Sequence, residues 1–229
     1  MGFWKQWFGR ERKKVAEMSL RDLGWYVWTY YRIWIAGIAA ALGVTIFLVV
    51  RMLTVPSENY FFACFPNTYA NLGKGSAFYE DFAEYAGYDL KEKGLEFNAS
   101  IYCKPSEGAG SSYYRSLVSF LDSGALDVLV MEREDIVSIG ESGRLLDLED
   151  ERMGDFTQRW ADRLVYVEPA EQTQYYKDHV PVGIDIAGSI LVDKYNAYPD
   201  GAVLGVSAQA GHLDQVDVFL DYIFAEAEA

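Results

Sequence analysis

The sequence predicts an α/β fold, a mostly parallel sheet with helices on both faces, carried on one N-terminal transmembrane helix. Three observations lead there. Residues 33–50 (IWIAGIAAALGVTIFLVV) run for eighteen positions without a charge. From residue 60 onward, short apolar runs alternate with amphipathic stretches, the pattern of strands joined by helical crossovers. The charge is also divided along the chain. Residues 1–32 hold seven Lys/Arg against three Asp/Glu and residues 52–229 hold twelve against thirty-one, within a net charge of -14.

Eighteen apolar residues at about 1.5 Å each approach the roughly 30 Å hydrocarbon core of a bilayer. Leu53 and Val55 extend the run past Arg51. A buried core helix would show a polar face, and this run has none. A cleaved signal peptide has an apolar region of about 7–15 residues ending at a small-x-small site. This run is longer and ends in Arg-Met-Leu-Thr-Val-Pro, so the expectation is an uncleaved, single-pass anchor in the cell membrane. Arg10, Arg12, Lys13 and Lys14, with Arg21 and Arg32, predict a cytoplasmic N-terminus, because Lys/Arg excess marks that side. Trp25, Tyr26, Trp28, Tyr30, Tyr31 and Trp34 suit a headgroup-level belt. Phe3, Trp4, Trp7 and Phe8 read either as an interfacial helix or as a frayed tail. The expected divisions are residues 1–32 (cytoplasmic, juxtamembrane), 33–55 (transmembrane) and 56–229 (extracytoplasmic domain).

Within the domain, residues 60–65 (YFFACF) predict a buried strand. Ser76 caps a helix with Phe78, Phe82 and Tyr85 on one face. Residues 95–103 read as a second strand. A Pro/Gly/Ser loop then leads to a helix bearing Tyr114, Leu117, Val118 and Leu121, closed by Gly124. Residues 126–131 (LDVLVM) are the third strand, and Glu132 and Asp135 open the helix after it. Residues 155–165 suggest another helix. Residues 165–167 and 174–187 suggest an antiparallel pair, 202–206 a last strand, and Val216, Phe219, Leu220, Ile223 and Phe224 the buried face of a final helix.

Residues 120–131 (FLDSGALDVLVM), followed by Gly143-Arg144-Leu145-Leu146-Asp147-Leu148, resemble a helix–Gly–strand segment of type 2 periplasmic solute-binding proteins. Residues 182–185 (VGID), 203–207 (VLGVS) and 218–224 (VFLDYIF) are similar to other parts of that family's first lobe. The resemblance implies a single solute-binding-protein-like lobe. Such proteins hold the ligand between two lobes, and here only about thirty-five residues separate Leu148 from Gly183, where the second would be inserted. The second lobe is therefore expected to be absent or reduced to a hairpin. The resemblance also implies a membrane-protein partner such as a transporter permease and a small polar solute as ligand.

The chain has no P-loop, no G-x-S-x-G and no H-E-x-x-H motif, so a non-catalytic role without cofactor is expected. An acidic domain repels phosphates, which argues against nucleic acid. His179 and His212 are far apart in sequence, and the acidic run Asp147, Glu149, Asp150, Glu151 and Asp155 lacks the spacing of a calcium loop, so no metal site is expected. Cys64 and Cys103 are the only cysteines. An even count in an oxidising compartment favours a disulfide, with two buried thiols as the alternative.

In open α/β sheets ligands bind beyond the carboxyl ends of strands. With the first, third and fourth strand ends side by side, as the resemblance implies, their loops supply Asn67, Thr68 and Tyr69, then Glu132 and Arg133, then Asp185 and Ser189. An aromatic face, hydroxyls, an amide and charges are what a polar-solute pocket needs. The competing expectation is that these residues hydrogen-bond their own loops, leaving a structural or sensory interaction subunit of a membrane complex with no small ligand.

Overall fold

The computed structural model describes residues 19–54, 59–90, 93–170 and 177–225. The basic cluster at residues 10–14, the aromatics at 3–8, residues 171–176 of the expected pair and the acidic tail at Glu226 and Glu228 lie outside the described residues. The chain divides into two compact units, residues 1–55 and 56–229.

The first unit is helix α1, Leu20–Thr54. It starts well before the apolar run because Ser19 caps it. The Ser19 hydroxyl accepts from the Asp22 amide at 3.3 Å and donates to the Asp22 carboxylate at 2.6 Å, a variant of the capping box. Its 35 residues amount to about 52 Å at 1.5 Å per residue, more than a bilayer core, so the aromatic belt is helical as well. The part long and apolar enough to cross a membrane is Trp28–Met52. Its large apolar side chains, Trp34, Ile38 and Phe47 among them, are exposed.

The second unit is an α/β domain. In chain order it contains β1 (Asn59–Cys64), α2 (Ala77–Tyr85), β2 (Gly94–Asn98), α3 (Ser112–Asp122), β3 (Val128–Met131), α4 (Arg133–Glu141), the short α5 (Phe156–Arg159), β4 (Leu164–Val167), β5 (Val180–Asp185), the short α6 (Ile190–Asp193), β6 (Val203–Val206) and α7 (Leu213–Ala225). Ser76 and Ser111 cap α2 and α3, each accepting a backbone N–H with its hydroxyl. Gly124 closes α3 at φ 70. A Cβ there would lie 2.9 Å from the Gln209 carbonyl oxygen, so both the conformation and the space require glycine.

The six strands form one sheet in the order β2-β1-β3-β6-β5-β4. β1 pairs in parallel with β2 and β3. β3 with β6, β6 with β5, and β5 with β4 are antiparallel. The sheet is therefore mixed, and the expectation of a mostly parallel one is corrected. Between β5 and β6 the only helix is α6, four residues long, about 6 Å. A parallel return needs a crossover long enough to traverse the sheet. Without one, the chain turns back and β6 enters between β3 and β5 from the carboxyl edge. β5 consequently points the same way as β1, β2 and β3, and the carboxyl ends of all four share one edge.

Both faces of the sheet are apolar and covered. Phe61, Ala63, Val128, Val130, Ile184, Leu204 and Val206 point to one core with Phe78 and Phe82 of α2 and Val216, Phe219 and Ile223 of α7. Phe62, Cys64, Leu129, Met131, Val182 and Val203 point to the other with Leu117 and Leu121 of α3 and Ile136 and Ile139 of α4. Alternating side chains that are all apolar are what a sheet buried on two sides requires. The helix expected over 155–165 is cut to the single turn of α5, since β4 begins at Leu164 and pairs with Ile184.

Candidate functional site

The carboxyl edge of the sheet gathers the predicted site residues, but not into one hollow. A concavity of about 390 Å³ is lined by Glu132, Arg133 and Glu134 at the start of α4, Asp185 at the end of β5, and Asp200 with the Gly201–Val203 backbone at the entry to β6. Arg133 Nη2 donates to Asp185 Oδ2 at 2.6 Å. The other Asp185 oxygen accepts from the Ala187 amide at 3.0 Å, and Arg163 donates to the Ala187 carbonyl at 2.8 Å. The one cation of the hollow is thus already matched. Glu132, Glu134 and Asp200 make no ion pair among the described residues, and the hollow is net acidic.

Asn67, Thr68, Tyr69 and Ser189 do not line it. The insertion of β6 between β3 and β5 moves Asp185 one strand further from the β1 loop, and the polar groups of that loop are bonded mainly to the segments at Cys103 and Ala197. Asn67, at φ 61, donates through Nδ2 to the Cys103 carbonyl at 2.7 Å and accepts through Oδ1 from the Cys103 amide at 2.9 Å. Thr68 is buried, donates to the Ala197 carbonyl at 2.8 Å and accepts from the Ala70 amide. Tyr69 is 94% exposed and packs its ring 5.7 Å from Tyr102. The Ser189 hydroxyl is fully buried and has no hydrogen-bond partner among the described residues. Glu134 and Asp200 escaped the sequence reading. Asp200 had a signal in Pro199-Asp200-Gly201, a turn triplet leading into a strand. Glu134 had none beyond its place in the first turn of α4.

The predicted Cys64–Cys103 bridge is not formed: both thiols are free and buried. Cys64 is in register with Asn98, whereas Cys103 is held against Asn67, three residues further along. Burial first, and Cys103 second, push the Cys64 thiol far above its usual range. Burial, then Asp135 and Glu107, push Cys103 up to about 11.

Asp135, in the first turn of α4, accepts from Asn67 Nδ2 at 3.4 Å. Burial, then the neighbouring Glu132, raise its carboxyl, and Lys104 partly offsets this. A carboxyl raised on folding supports the fold only where it is protonated, and that support is lost as pH rises through its folded pKa. Asp135→Asn should therefore raise the melting temperature at neutral pH and change it less in acid, where the carboxyl is increasingly protonated. Melting curves at pH 3.5 and pH 7.5 check this.

Elsewhere, the acidic run is partly neutralised. Lys177 bridges Asp147 at 3.0 Å and Glu149 at 2.7 Å, and Arg152 pairs with Asp150. Among the described residues no three His, Cys, Asp or Glu side chains converge for a metal. His212 lies at the opposite edge of the sheet against Asp127.

No protein-family model, curated protein or solved structure matches the chain.

Proposed function

We propose that this protein is a non-catalytic, membrane-anchored interaction module. Its N-terminus is cytoplasmic, its α/β domain is extracytoplasmic, and the acidic rim at the strand carboxyl ends docks on a basic surface of a membrane-protein partner, such as a transporter permease. The observation that carries this is the composition of the hollow, four carboxylates against one arginine already paired with Asp185. Complementary charge steers and orients such contacts. The positive N-terminal segment and the acidic domain support the orientation. The segment resemblances and the shared edge of four strand ends support descent from a reduced solute-binding lobe.

A second reading is a weak binding module for a small polar solute. The volume favours it, since small-molecule sites run from about 300 to 1,000 Å³. Against it, Tyr69 does not line the hollow, whose lining has no aromatic side chain.

A photo-crosslinking amino acid at Glu134, in cells, tests the first reading, with Ser119 on the exposed face of α3 as control. The expected result is one discrete adduct with an integral membrane protein from position 134 only, lost when Glu132 and Asp200 are both replaced by lysine. Equal labelling from both positions, or an adduct indifferent to the reversal, would contradict docking through this rim.

A further inference from the structure

The edge of the sheet away from the hollow carries a second polar cluster, built on aromatic faces. Tyr60, near the start of β1, and Tyr88, in the turn after α2, set their rings nearly perpendicular (88°) with centroids 5.6 Å apart. They form an open corner. The corner is held from behind by one side chain. Tyr88 donates its hydroxyl to Gln215 Oε1, and Gln215 Nε2 donates to the Tyr60 oxygen at 3.4 Å and to Asp214 Oδ2 at 2.6 Å. Gln215 is buried on α7, so it ties both phenols to a packed helix. The His212 ring lies 5.3 Å from Tyr60. The rings are thus positioned before any ligand arrives.

The corner is occupied by a cation from the chain itself. Lys93 Nζ stands 4.1 Å from the Tyr60 centroid and 5.5 Å from that of Tyr88. Both distances are within the roughly 6 Å over which a ring face attracts a cation. In a domain so rich in carboxylates, this ammonium makes no ion pair among the described residues and faces two rings instead. Ring faces favour a cation with a diffuse, poorly hydrated charge over a compact, strongly hydrated ammonium. An alkylated ammonium suits this place better than lysine does.

We propose that Tyr60 and Tyr88 form a binding site for a quaternary ammonium head group, with Asp214 as the nearby carboxylate and Lys93 as a built-in occupant that the ligand displaces. Self-occupancy lowers the apparent affinity by the fraction of time the corner is open. A corner open one-tenth of the time binds about tenfold more weakly than an empty one. The site lies on the other edge from the acidic hollow, so the two proposals stand or fall separately.

The test uses the full chain in maltoside micelles, with choline as the probe and saturation transfer to its N-methyl protons as the readout. Lys93→Ala is expected to bind choline about tenfold tighter than the parent chain, in line with the occupancy argument. In the Lys93→Ala background, Tyr60→Ala or Tyr88→Ala should abolish saturable binding. Tyr60→Phe, which keeps the ring face and guards against a folding defect, should retain it. The neutral isostere 3,3-dimethyl-1-butanol should not bind. Equal choline affinity with and without Lys93, or binding of the neutral isostere as strong as that of choline, overturns the proposal. Repeating the titration in nanodiscs assigns the source. Loss of choline binding in phosphatidylcholine but not phosphatidylglycerol discs identifies a lipid head group, and equal binding in both identifies a soluble ammonium compound.

Discussion

Phe219→Ala is expected to destabilise the domain by about 4 kcal/mol, the middle of the range for emptying a buried phenylalanine site. Phe219 is fully buried on α7. Its ring meets Phe82 at 5.3 Å, Phe61 at 5.5 Å, Phe97 at 5.8 Å, Phe78 at 6.2 Å and Phe65 at 6.3 Å. The residue thus joins α2, β1 and β2 to the last helix in one aromatic cluster. Neighbours drawn from that many elements cannot all close on the void, so the cavity contribution stays large. Phe219→Leu should cost distinctly less. Tyr113→Ala, at an exposed position, should fall within about 0.5 kcal/mol of the parent, as surface changes do. Chemical denaturation of the three variants gives the comparison, and a Phe219→Ala chain as stable as Tyr113→Ala would refute this view of the core.

Asp127→Ala is expected to cost about 3 kcal/mol through lost hydrogen bonds and orphaned donors. Asp127 stands just before β3 and is 2% exposed. Its Oδ2 accepts from the Phe62 amide at 3.0 Å, and its Oδ1 accepts from the amides of Gly211 and His212 at 3.2 Å each. One carboxylate therefore fastens β1 to the loop that leads from β6 into α7. Removing it strands the buried Phe62 N–H, and an orphaned buried donor alone costs about 1–3 kcal/mol. Asp127→Asn keeps one acceptor oxygen and should lose less than alanine. Denaturation midpoints in that order, alanine below asparagine below parent, support the account. An alanine variant within error of the parent would contradict it.

How far these features could be read in advance depended on the range of the forces behind them. The long apolar helix is a matter of composition, and the helices α2, α3 and α7 show in the spacing of Phe78 and Phe82, Leu117 and Leu121, and Val216, Phe219 and Ile223. These are local signals. The place of β6 was not legible. Val203–Val206 and Val128–Met131 are both short, wholly apolar runs, and a run without alternation does not say which strand lies beside it. The split site follows from that placement, and β6 adds two antiparallel pairings to the one between β4 and β5. Arg133, Glu132 and Asp185 come together because strand ends on one edge must meet. Asn67 and Thr68 are spent on Cys103 and Ala197, partners 36 and 129 residues away, which no local pattern announces. The Ser19 cap is a local signal too, although its pattern sits outside the apolar run.

The claim on which the functional account rests is that the α/β domain stands outside the membrane on an uncleaved anchor. The direct measurement is labelling of intact cells with a membrane-impermeant maleimide. The chain would carry a single cysteine at Lys74→Cys, an exposed position before α2, with Cys64 and Cys103 replaced by alanine, and a companion chain would carry it at Lys13→Cys. The account predicts that position 74 labels at once in the full-length, membrane-bound chain and that position 13 labels only after the cells are permeabilised. Labelling at 13 in intact cells with protection at 74, or release of a shortened domain from the membrane, would contradict it.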